Sequence, residues 1–162
     1  MDTTLILILL LAPFIGFLIN LVFGKRVSSS LPGILATSAV VVSFAVSLFY
    51  FIQIQQTGTP IKVHLFDWIK LENFEIGFAF TLDQLSLLWL MVVTGIGALI
   101  HVYSIGYMKG EENIDRYFAY LNLFIFFMIV LVTGSNLLMM FIGWEGVGLC
   151  SYLLIGFWYK NH

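Results

Sequence analysis

Long apolar runs separated by short polar breaks organise this chain. Runs at residues 3–23, 31–54 and 82–103 are each bounded by polar or turn residues, and each is long enough to cross the ~30 Å hydrocarbon core as a helix rising ~1.5 Å per residue. Residues 117–159 are too long for one crossing, and Thr133-Gly134-Ser135-Asn136 is the turn-like break within them. That break predicts helices over 117–133 and 136–159. The pattern therefore predicts an all-α integral membrane chain, a single membrane domain of five transmembrane helices. Pro13 falls inside the first helix and Pro32 at the start of the second, positions where a missing N–H is absorbed by local adjustment or was unpaired already.

Residues 57–81 form the one sizeable extramembrane segment. Phe74, Ile76, Phe78 and Phe80 alternate with smaller or polar residues, as Ile61, Val63 and Leu65 do before them. With Leu71-Glu72-Asn73 as the turn, this is the period of a short outer β-hairpin. A lone hairpin is marginal in water, so it is expected to pack on helix ends or on a partner. The next helix opens with Thr81-Leu82-Asp83-Gln84, a capping-box spacing. Asp83 suits the positive end of that helix and reads as a cap rather than as part of an ion path.

Composition agrees with the pattern. Of 162 residues, 60% are hydrophobic and 10% charged, with a mean hydropathy of +1.01, outside the range of soluble domains. No basic patch suits nucleic acid. Asp2 precedes the first run while Lys25 and Arg26 follow it, the reverse of a signal peptide's charge order, so the run is expected to be a retained span. The single cysteine, Cys150, forbids an internal disulfide and reads as a small packing residue. No Cys/His cluster points to a metal or an iron–sulfur centre.

One charge stands out against this background. Glu145 lies in the apolar run from Phe141 to Tyr152, where a bilayer offers its carboxylate no water. A charge at that depth costs on the order of 2.5–3.5 kcal/mol, so it faces a protein interior or a wet cavity and marks an ion or proton path, or else pairs structurally with a neighbouring helix. At 100° per residue, Phe141, Glu145, Gly148, Tyr152 and Gly156 share one sector, whereas Gly143, Gly146 and Cys150 lie opposite. Close packing on both sides is expected, with room above Gly148 beside the carboxylate and Tyr152 lining it or packed as an aromatic. His101, near the inner end of the third helix, is the second titratable group. It reads either as a hydrogen bond between helices or as a proton relay. The loop from Lys109 to Arg116 is mixed in sign and is expected to be solvated.

Three stretches carry a resemblance: Leu99-Ile100-His101-Val102-Tyr103-Ser104-Ile105-Gly106-Tyr107-Met108, Arg116 to Phe124, and Gly143-Trp144-Glu145-Gly146-Val147-Gly148-Leu149-Cys150-Ser151-Tyr152 with its continuation to Trp158. They resemble the N-terminal part of the L-subunit (chain 5) family of proton-pumping NADH:quinone oxidoreductase, respiratory complex I. The resemblance runs from Pro13 onward, and the Trp-Glu-Gly helix is its most specific part. It implies the N-terminal part of an antiporter-like helix bundle contributing to proton translocation coupled to electron transfer from NADH to quinone. It further implies that Glu145 is the fifth-helix glutamate, paired in the family with a lysine of the seventh helix, and that His101 occupies a family histidine position. No cofactor is expected in this chain; NADH, FMN, iron–sulfur clusters and quinone belong to partner subunits, alongside other membrane-arm subunits and the lipid bilayer as partners.

Family members are several times longer, so the chain reads as an N-terminal piece that would insert into a membrane without translocating protons by itself. Two alternatives stay open: the large subunit of a multisubunit cation/proton antiporter, and a non-transporting structural segment. The expected location is a bacterial cytoplasmic membrane, or the mitochondrial inner membrane for an organellar protein.

Orientation follows from the loops. With five crossings, Lys25, Arg26, Lys109, Arg116 and Lys160 share one side, and Lys62 and Lys70 the other with the N-terminus. Cytoplasmic loops carry the excess of basic residues, so the N-terminus and residues 57–81 are placed outside. Tyr103, Tyr107, Trp158 and Tyr159 fall near the expected membrane boundaries, as interface aromatics do. Cysteines placed one at a time at positions 70 and 109 should be labelled by an impermeant reagent from the outside at position 70 alone. Labelling of position 109 with protection of position 70 would reverse the topology.

Overall fold

The computed structural model describes residues 2–24, 31–71 and 74–158. Within them run α1 (Asp2–Phe23), α2 (Leu31–Thr57), β1 (Ile61–Leu71), β2 (Phe74–Leu82), α3 (Gln84–Tyr107), α4 (Ile114–Thr133) and α5 (Leu137–Ile155), followed by a 3-10 turn at Gly156–Trp158. Five helices are long and apolar enough to cross a membrane, the last counted together with its 3-10 turn. The turn expected at residues 71–73 falls largely outside the described residues. So do Lys25, Arg26, Tyr159 and Lys160.

Helices α1 to α4 form a bundle in which α1 packs on α2 and α4, α2 on α3 and α4, and α3 on α4. Lipid is as apolar as leucine, so hydrophobicity cannot choose which face of a spanning helix turns inward; small size and hydrogen bonding can. The buried positions accordingly include Gly33, Ala36, Ser43 and Ser47 on α2 and Thr94, Gly97, His101 and Ser104 on α3, at three- and four-residue spacing. Polar side chains then tie the helices together. Ser43 donates to the Leu9 carbonyl at 2.8 Å, Asn20 Nδ2 to the Pro32 carbonyl at 3.1 Å, and the Ser104 and Tyr117 hydroxyls are 3.1 Å apart. Ile15, Val22, Leu99 and Val102 point outward, exposed in the chain and suited to hydrocarbon.

The hairpin sits on the helix ends. Its antiparallel register runs from Ile61 opposite Leu82 to Leu71 opposite Phe74, with shifts between His64 and Phe66 and between Asp67 and Ile69. Val63, Phe80 and Leu82 are buried in one core with Leu9, Leu87 and Met139. Backbone pairing extends β2 sideways: Phe80 bridges to Gly134, and the Ser135 N–H donates to the Ala79 carbonyl at 3.2 Å. On the solvent side Phe66 stacks on Phe78 with centroids 5.0 Å apart. Asp67 stands 2.8 Å from His64 and 3.4 Å from Lys70, which reaches Glu75 at 3.0 Å. The hydrogen bond and charge of Glu75, then those of Asp67, hold the Lys70 ammonium above its usual pKa. These pairs are exposed, so solvent screens them.

Two expectations are corrected. Helix α3 begins at Gln84 because the ladder keeps Thr81 and Leu82 in β2. Its cap is Asp83, whose carboxylate accepts from the Ser86 N–H at 2.7 Å while Ser86 Oγ accepts from the Asp83 N–H at 2.8 Å. The box expected of Thr81 and Gln84 thus belongs to Asp83 and Ser86, and the capping role expected for Asp83 is what it performs. The loop between α3 and α4 is also shorter than expected. Left-handed backbone at Gly110 (φ 94) and Asn113 (φ 60) closes it, so α4 starts at Ile114 and Asp115 lies buried in its first turn rather than in a solvated loop.

Helix α5 packs chiefly on α4, and two glycines set the distance. A Cβ on Gly143 would stand 2.5 Å from the Leu131 Cα, and one on Gly146 would run into the Phe127 ring. Gly148, by contrast, has nothing within 4 Å of such an atom. Gly143→Ala should therefore push α5 off α4 and cost about 1–3 kcal/mol, as overpacking does. Gly148→Ala should stay within about 0.5 kcal/mol. Thermal denaturation in detergent, followed by circular dichroism, should show a lowered Tm for the first variant only.

Candidate functional site

Asn136 starts α5 and determines where the rest of it falls. Its Oδ1 accepts from the Met139 N–H at 3.0 Å, satisfying a free donor of the first turn, and its Nδ2 donates to the Gly77 carbonyl of β2 at 2.9 Å. From that fixed start, Glu145 lies near the middle of α5, about 12–15 Å from either end at ~1.5 Å per residue.

The angular sorting read from the sequence holds. Met139, Gly143, Gly146 and Cys150 are buried, while Phe141, Glu145, Gly148, Tyr152 and Gly156 are exposed on the other side. Close packing expected on both sides of α5 occurs on one. The reason is that α4 supplies a neighbour for the glycine face and, among the described residues, no helix covers the other. Glu145 makes no hydrogen bond or ion pair among the described residues, and Tyr152 is 75% exposed. Cys150 is a free, buried thiol on the packed side, the packing position expected of it.

Two hollows border α5, one towards each of its ends, and Glu145 itself lines neither. The one towards the C-terminal end of α5, about 900 Å³, is bordered by Glu111, Glu112, Arg116, Tyr120, Tyr152 and Trp158. Trp158 Nε1 donates to Glu111 Oε2 at 3.3 Å at its edge. The other, about 490 Å³, is bordered by Asp83, Ser86, Trp89, Leu131 and Trp144. Trp144 adjoins Glu145 in sequence, and Tyr152 is two turns from it. The carboxylate thus stands midway along α5 on its uncovered face, with a more polar hollow towards one end of the helix and a more apolar one towards the other.

His101 belongs to a different environment. It is fully buried inside the α1–α4 bundle, where Nδ1 lies 2.7 Å from the Gly97 carbonyl and Nε2 lies 2.9 Å from Asn122 Oδ1 on α4. The structure does not bring His101 and Glu145 together. Asn122 is the site residue that sequence reading did not single out, although a lone carboxamide in the apolar run from Leu121 to Val132 was the available signal. Among the described residues, no three His, Cys, Asp or Glu side chains are grouped to hold a metal ion.

Comparison with known proteins agrees with this architecture. Residues 68–118 match the family described as NADH-Ubiquinone oxidoreductase (complex I), chain 5 N-terminus, and residues 134–162 match NADH:quinone oxidoreductase/Mrp antiporter, TM. The chain is 40% identical over 157 residues to the NADH-quinone oxidoreductase subunit L of Rickettsia typhi, covering 97% of this chain and 24% of the relative. It is 45% identical over 153 residues to the subunit L of Escherichia coli, covering 94% and 25%. With the NADH-ubiquinone oxidoreductase chain 5 of Cryphonectria parasitica it shares 40% over 153 residues, covering 94% and 23%. The chain spans about a quarter of the length of these relatives. A solved archaeal respiratory membrane complex, the membrane-bound sulfane sulfur reductase, contains a chain of the same fold at a TM-score of 0.66 and 20% identity, over 92% of this chain and 22% of that one. Over nearly its whole length the chain is thus similar to subunit L and chain 5 proteins of NADH:quinone oxidoreductase.

Proposed function

We propose that this chain forms part of the membrane arm of a proton-translocating NADH:quinone oxidoreductase, and that Glu145 is its proton-relay group. One observation carries the reading. Glu145 is an ionisable side chain at mid-membrane depth, turned away from the helix it packs on, with a hollow towards each end of α5. Left against lipid, it would cost on the order of 2.5–3.5 kcal/mol as a charge. A covering helix with a basic group would lower that cost in the charged state, and proton uptake would release the pair. Alternation between those states moves one proton between the two hollows. His101 is the second candidate relay, in its own environment.

Electron transfer from NADH to quinone, with NADH, FMN, iron–sulfur clusters and quinone, is assigned in this reading to partner subunits. The membrane is a bacterial cytoplasmic or mitochondrial inner membrane, with the N-terminus outside. The second reading, a cation/proton antiporter without NADH chemistry, draws on the Mrp antiporter description of the family matching residues 134–162.

Glu145→Gln keeps the side chain's shape and removes its titration. In the complete subunit, assembled with its partners in sealed vesicles, the variant should retain assembly and lose NADH-driven proton uptake at least several-fold, followed with a pH-sensitive dye. Undiminished pumping would rule out the relay role. Glu145-dependent cation exchange in a complex without NADH oxidation would favour the antiporter.

A further inference from the structure

His101 carries chemical information that its burial alone does not. The Gly97 carbonyl can only accept, so the contact at Nδ1 (2.7 Å) requires the ring's proton there. A neutral imidazole has one N–H, which leaves Nε2 as a lone pair with nothing to donate to a carboxamide oxygen 2.9 Å away. Two arrangements are chemically complete. Either the ring is charged and donates from both nitrogens, with Asn122 Oδ1 accepting, or the ring is neutral and the Asn122 carboxamide is turned by 180° so that its NH₂ donates to Nε2.

The surroundings admit both. The other amide atom of Asn122 has no hydrogen-bond partner and abuts Gly16 of α1, where any Cβ would collide with it. The oxygen and NH₂ of a carboxamide differ little in size, so turning it exchanges them in the same space. Asn20, one turn further along α1, also has an unpaired buried oxygen. No fixed charge decides the matter from close by. On α2 the ionisable residue is the buried Tyr50, and α1 contributes only Asp2, at its far end. On α3 the others are the exposed Tyr103 and Tyr107. On α4, Asp115 and Arg116 lie about two turns from Asn122, Tyr117 is bonded to Ser104, and Tyr120 borders the hollow beside Arg116 and Tyr152.

We propose that Asn122 is a positioning residue that matches either protonation state of His101, holding the neutral ring as its Nδ1–H tautomer and receiving the second proton at Nε2. The pair is then a proton-holding site inside the α1–α4 bundle, separate from Glu145. It does not depend on the transport reading, since its test involves neither NADH nor Glu145.

Solid-state NMR of the ¹⁵N-histidine-labelled chain in lipid bilayers decides it. At neutral pH the His101 resonances should show a protonated Nδ1 and an unprotonated Nε2, opposite to the tautomer that free histidine favours in water. On acidification Nε2 should become protonated while Nδ1 stays so. In Asn122→Asp the carboxylate can only accept, so the ring should be doubly protonated at a pH where the unsubstituted ring is neutral. An Nε2–H tautomer in the unsubstituted chain, or a ring that stays singly protonated until the chain unfolds, overturns the proposal. The same holds if ring signals are identical in folded Asn122→Asp. A merely packed asparagine would move none of them.

Discussion

The approach of α5 to α4 at Gly143 and Gly146 is the contact on which the meaning of Glu145 depends. Because a helix has 100° between residues, burying those two glycines against Leu131 and Phe127 leaves no freedom about where residue 145 points. A larger side chain at either position would alter both the separation of the helices and the rotation of α5. The carboxylate's exposure is thus the geometric counterpart of the tightest helix contact in this part of the chain.

Inside the bundle the same economy of polar groups operates with the opposite result. Ser43, Asn20, Ser104 and the His101–Asn122 pair each find a partner on a neighbouring helix or its entry. In hydrocarbon these bonds have no competing water, which makes them useful for choosing one packing over another even where each contributes modestly. Glu145 lies outside this network and His101 within it. Two titratable residues that look equivalent in the sequence therefore occupy environments of different kinds.

Much of this was readable in advance. Helix number followed from the bilayer's thickness, and the sorting of α5 into a glycine face and a Glu145 face followed from angular arithmetic. The start of α3 was less readable, since Phe80-Thr81-Leu82 is as apolar as the helix it precedes. Strand register awards Thr81 and Leu82 to β2, and only then does the choice between Thr81 and Asp83 as cap resolve. The pairing of His101 with Asn122 was beyond periodicity altogether, because it joins different helices 21 positions apart. That α5 is covered on one side alone is likewise a property of tertiary packing, invisible in its own residues.

Asn136 gives the hairpin a mechanical role. One carboxamide closes the first turn of α5 with its oxygen and grips the hairpin at Gly77 with its nitrogen, while the neighbouring Ser135 and Gly134 pair with β2. Any sliding of α5 along its axis must either drag the hairpin with it or sever those bonds. The helix that bears Glu145 is anchored at its first turn to a two-stranded lever, so that a displacement along the helix is felt at the hairpin.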